Sequence, residues 1–121
     1  MKNKMKFAVL CMTLLVSVSA FAQEINQKSM KKAWGIVGNL CQTVKLDAAT
    51  RRKAADLTYA RGMAYLDRDA RMQANELTKK EYDALGKKIS ENYWKDLQEL
   101  IPEDQLDAFL VWKSKPKEER E

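Results

Sequence analysis

The chain has 121 residues, with 22 Lys and Arg against 17 Asp and Glu, no His and two Cys. Without His it lacks the commonest catalytic base and the commonest transition-metal ligand. Four Gly and two Pro are too few turn residues for an all-β domain. The composition therefore calls for an all-α protein.

Residues 1–22 read as a secretory signal. Lys2, Lys4 and Lys6 give a positive start, Phe7 to Ala20 is an apolar run of 14 residues, and Ala20-Phe21-Ala22 supplies small residues for cleavage before Gln23. The run falls short of the roughly 20 residues of a membrane span. Cleavage would leave 99 residues with 19 basic and 17 acidic side chains, because three lysines leave with the signal. A net charge near +2 argues against nucleic acid as a partner. The expected location is the periplasm, with no stable membrane insertion after processing.

Four helical segments follow by periodicity. Over Ile25 to Val44, the residues Met30, Ala33, Trp34, Val37, Cys41 and Val44 recur at spacings of three and four. Gly35 and Gly38 within it point to close approach of a neighbouring helix or to simple tolerance. Over Ala48 to Gln73 the stripe is Ala48, Ala55, Tyr59, Met63, Leu66 and Ala70, with Arg51, Arg52, Lys53, Arg61, Arg68 and Arg71 read as a solvated face. The third segment, Lys79 to Leu100, aligns Tyr82, Leu85, Ile89, Tyr93, Leu97 and Leu100. It opens with a capping box, Thr78 to Glu81, flanked by Leu77 and Tyr82 at the positions of a hydrophobic staple. The fourth runs from about Pro102 to Lys113, with Pro102 at the first helical position and Leu106, Phe109 and Leu110 inward. One helical domain over residues 23–113 and a flexible charged tail over residues 114–121 complete the expected organisation. Two long amphipathic helices in so short a chain would leave apolar surface that a dimer covers.

Chemistry is sparse. The carboxylates of Asp67 and Asp69, or of Glu103 and Asp104, are too close in sequence to converge on one helix face. No Gly-rich phosphate loop or acidic metal loop exists. The expectation is no catalytic residue, no metal site and no cofactor. Cys41, the one thiol left after processing, is open to three readings: an inert core residue, an interchain bridge or a reactive thiol. Trp34 and Tyr93 fall on core faces, and Trp94 and Trp112 fall beside the main stripes, open to reading as the edge of a core or as part of an exposed binding patch.

Three helix starts share a shape: Leu46-Asp47-Ala48-Ala49-Thr50, Leu77-Thr78-Lys79-Lys80-Glu81 and Ile101-Pro102-Glu103-Asp104-Gln105. Behind a signal peptide, in a small helical chain, they resemble the repeated Leu-Thr-x-x-Gln of the Spy/CpxP family of periplasmic stress proteins, over roughly Val44 to Trp112. Asp47, Thr50, Glu81, Ile101 and Pro102 depart from that pattern, and Gln105 keeps it. The resemblance implies a thin, curved helical hairpin paired into a homodimer, an ATP-independent hold on unfolded clients or a role as envelope-stress accessory. The family's His-dependent metal sensing has no residue to rest on here.

The sequence thus predicts a small helical hairpin or bundle of about four helices, exported and non-enzymatic, binding unfolded or partly folded envelope proteins. The alternative is a dedicated partner-binding protein, of inhibitor or immunity type, for one folded envelope target. The candidate client-binding residues lie on the second segment: Arg52, Tyr59, Arg61, Met63, Leu66, Arg68 and Arg71. Arginines would attract acidic clients, and Tyr59, Met63 and Leu66 would offer soft apolar contact.

Overall fold

A computed structural model describes residues 25–120. The proposed signal lies outside the described residues. The described chain is all-α: α1 over residues 25–41, α2 Ala48–Gln73, α3 Lys79–Leu100, a single 3-10 turn Glu103–Gln105, α4 Leu106–Ser114 and α5 Lys117–Arg120. None of the described helices is long and apolar enough to cross a membrane.

α2 and α3 form an antiparallel hairpin, and the start of α2 and both ends of the connecting turn are chemically fixed. Asp47 caps α2 by accepting from the Thr50 amide at 2.7 Å. At the other end of α2, Asn75 takes a left-handed φ of 60°. This lets the Asn75 amide reach the Met72 carbonyl (3.1 Å) and the Glu76 amide reach the Arg71 carbonyl (2.9 Å). That pair of bonds is a Schellman ending, which satisfies carbonyls the last helical turn leaves orphaned. Three residues on, Thr78 accepts from the Glu81 amide at 3.2 Å while Glu81 accepts from the Thr78 amide at 3.0 Å. The capping box stands as the sequence implied, and Leu77 is buried beside it.

The core lies at the end of the hairpin away from that turn. Ile36, Val37, Leu40 and Val44 from α1 and its end, Leu46, Ala54 and Ala55 from the start of α2, Tyr93, Leu97 and Ile101 from α3 and its end, and Phe109 and Trp112 from α4 form one cluster. The side-chain amide of Gln105 ties the layers by accepting from the Lys45 backbone amide at 3.1 Å. Cys41 packs half-buried against this cluster as a free thiol, and burial raises its pKa despite the nearby Arg51.

Several expected inward residues face elsewhere. Trp34 is 41% exposed, and Ile36 and Leu40 fill the α1 face instead. Leu110 is 49% exposed, and Trp112 is buried in its place. Pro102 is extended (ψ 147°) and precedes the 3-10 turn rather than opening a helix; its carbonyl accepts from the Gln105 amide at 2.9 Å. A side chain added at Gly35 or Gly38 would meet open space, so neither marks a close helix approach. In the tail, α5 returns to the body: the Asn39 side-chain amide donates to the Arg120 carbonyl at 3.2 Å.

A cationic, aromatic cleft between the helices

The largest shift from the sequence reading concerns α2. Its buried residues are Ala54, Ala55 and Thr58, so the inward face is rotated from the expected stripe. Ala48, Leu66 and Ala70 are exposed, and Tyr59 and Met63 are only half-buried. Arg61 and Arg68, seven residues and about two turns apart, share one side of the helix. That side meets α3, so these two arginines are not part of a solvated face.

Each is held by an aromatic ring. The Arg61 guanidinium lies 4.0 Å from the Tyr93 ring centre. Tyr93 itself is buried, and its hydroxyl sits 2.9 Å from Thr58 Oγ1. Thr58 spends its single proton on the Ala54 carbonyl at 2.8 Å, so Tyr93 is the donor in that pair. The Arg68 guanidinium lies 3.9 Å from the Tyr82 ring centre and 4.9 Å from that of Tyr65. Arg68 donates to the Tyr82 hydroxyl (2.9 Å) and to Asp69 Oδ1 (3.1 Å), and Tyr82 donates to the same Asp69 oxygen at 2.8 Å. The Tyr82 bond, with help from Arg68, holds the Asp69 carboxyl below its ordinary pKa, and the same bond raises that of Tyr82. Gly86 makes room for this arrangement, since a Cβ there would collide with Arg68.

The candidate client-binding residues therefore divide. Arg61 and Arg68 face α3. Tyr59 and Met63 point from the opposite side of α2. Arg52 is exposed and pairs with Asp56 at 3.4 Å, and Arg71 pairs with Glu76 at 3.7 Å. They do not form one patch. Leu66, 45% exposed, is the apolar member that borders the cleft described next.

Between α1, α2, α3 and the C-terminal helices runs a cleft of about 640 Å³. Lys32, Arg61, Arg68, Lys117 and Arg120 line it with Tyr65, Tyr93, Trp94 and Trp112, and among the described residues no carboxylate lines it. Ring packing sets the wall. Trp94 meets Tyr93 edge-on at 5.1 Å and Trp112 at 6.1 Å, and Phe109 stacks on Trp112 at 6.1 Å. Lys113 and Arg120 lie 5.2 and 5.1 Å from the Trp94 ring centre. Cations placed on aromatic faces keep their hydrogen-bond donors available at the rim. Lys32 and Arg120 join the cleft from outside the candidates on α2, with only the charge of the tail to point to Arg120, while Trp94 and Trp112 line it as the off-stripe tryptophans that were open to a binding-patch reading.

No known protein family matches this chain, and neither a curated protein nor a solved structure matches it.

Proposed function

We propose that the chain is an exported, non-enzymatic binding protein of the periplasm, which holds unfolded or partly folded envelope proteins without ATP. It acts as a chaperone or an envelope-stress accessory of Spy/CpxP type and works as a homodimer. The observation that supports this most is the cleft: cations on aromatic faces with no carboxylate among the described lining residues. Such a surface attracts acidic chains at long range and then offers rings and Leu66 for apolar contact. Client contact centres on the cleft rim, at Lys32 and Leu66, rather than along the whole basic length of α2.

The test is light scattering of a reduced or heat-stressed acidic protein, mixed with equimolar processed protein and no nucleotide. Suppression of aggregation is expected, and it weakens as salt rises. Lys32→Glu is the clean charge reversal because Lys32 is exposed. It should reduce suppression while helical circular dichroism stays constant. Arg68→Glu would disturb the α2–α3 contact as well and cannot separate binding from folding. If several unrelated proteins aggregate unchanged, the holding function fails and a dedicated partner-binding protein takes its place.

A further inference from the structure

We infer that the deep end of the cleft is a built site for a small organic acid, with a carboxylate head and an aromatic body. This rests on the same cleft as the proposed client binding but requires no client.

Three observations carry it. First, Lys32 on α1, Arg61 on α2 and Arg120 on α5 converge on one cleft, and none of the three takes part in an ion pair among the described residues. The described chain has carboxylates in plenty on α2 and α3, yet none of the described carboxylates lines this space. Like charges gathered without a counter-charge repel one another, and an anion in their midst removes that cost. Second, Trp112 is only 3% exposed, and its indole Nε1–H has no hydrogen-bond acceptor; Arg120 Nε is likewise shielded and without one. Buried donors are ordinarily satisfied, so two orphans beside one cleft mark the place of a missing acceptor. Third, the walls beside these donors are the rings of Tyr65, Trp94 and Trp112. They suit a flat apolar body, and about 640 Å³ lies within the range of small-molecule sites.

The head therefore sits among Arg61, Arg120 and Trp112, and the ring of the ligand lies against Trp94. Because the two orphan nitrogens are shielded, an acceptor reaches them only when the Lys117–Arg120 turn shifts outward. Binding should then be accompanied by a change at that turn.

The experiment is an NMR titration of the processed protein, following the indole N–H signals of Trp34, Trp94 and Trp112. Each is assigned by its Trp→Phe variant. The probes are 2-naphthoate, its uncharged amide 2-naphthamide, and acetate. We expect saturable 2-naphthoate binding at least tenfold tighter than either other probe. The Trp112 signal should move downfield, the Trp94 signal should shift, and Trp34, exposed, should stay in place. Arg120→Gln, in a four-residue terminal turn, should weaken 2-naphthoate at least fivefold with the amide spectrum of α2 and α3 unchanged. Trp112→Phe keeps the ring and removes the donor, and should also weaken it. Equal binding of the amide or of acetate would overturn the inference, as would shifts that spread to Trp34 or an unaffected Arg120→Gln protein. Binding of 2-naphthoate by a protein that fails to suppress aggregation would sink the holding function alone. Suppression without 2-naphthoate binding would sink this inference alone.

Discussion

Arg68 and Gly86 occupy one volume across the hairpin: the guanidinium of the first fills the space where a side chain on the second would begin. This offsets the gain a substitution would bring. Gly→Ala inside a helix ordinarily stabilises by about 1 kcal/mol. Gly62→Ala should do so, since a Cβ there meets nothing within 4 Å. Gly86→Ala should gain less, because Arg68 must swing its guanidinium away and give up bonds to Tyr82 and Asp69. The urea midpoint of Gly86→Ala should lie below that of Gly62→Ala.

The buried pair Thr58 and Tyr93 predicts non-additivity. Thr58→Val leaves the Tyr93 hydroxyl without its acceptor and should cost about 1–3 kcal/mol. Adding Tyr93→Phe removes the stranded hydroxyl, and the double variant should recover much of that loss. A double-mutant cycle by chemical denaturation reads the coupling.

The capping box predicts a loss of about 1 kcal/mol for Thr78→Ala, measurable as a lower urea midpoint at constant slope.

Much of this architecture was legible in the chain. The bounds of α2 and α3 and the Thr78 cap follow from local chemistry, in which hydroxyl, carboxylate and apolar positions each have one sensible place. The direction of Arg61 and Arg68 was not. Hydropathy counts a guanidinium as solvated, yet its flat face packs on a tyrosine and its stem is apolar. Only the register of the α2–α3 hairpin reveals that Tyr82 and Tyr93 stand opposite. Likewise Trp112 and Leu110 lie about 200° apart on a short helix, so only one of them can face the core. Trp112 faces inward because Phe109, one turn earlier on α4, and Trp94 on α3 receive it, and only the first of these partners is local in sequence.

Acid should weaken the fold. Asp47, Asp69 and Glu81 all have folded pKa values below their ordinary ones: the first and third from backbone hydrogen bonds at helix starts, the second chiefly from Tyr82. A lowered carboxylate pKa contributes stability above the ordinary value and loses it as pH falls through the folded one. Thermal midpoints should therefore hold from neutrality to about pH 5 and drop below about pH 4. Asp69→Asn should show a shallower drop. Tyr82 has the opposite sense: its raised pKa stabilises below the ordinary phenol value, and that contribution is lost as pH climbs through the folded one.

Trp34, Leu110 and Val111 leave apolar surface exposed on one copy. Sedimentation equilibrium at micromolar concentration should give a dimer, unchanged by reductant because Cys41 is half-buried in the core with a raised pKa. Loss of the dimer on reduction would assign Cys41 to an interchain bridge.

The cleft as the place of client contact is tested most directly by site-specific photo-crosslinking to one reduced, unfolded acidic protein. A photoreactive residue replaces Leu66, on the cleft rim, or Asp83, exposed on α3 and outside the lining. Strong crosslinking is expected from position 66, reduced by salt and by Lys32→Glu, and little from position 83. Equal yields from the two positions, or none from position 66, would contradict client contact at the cleft.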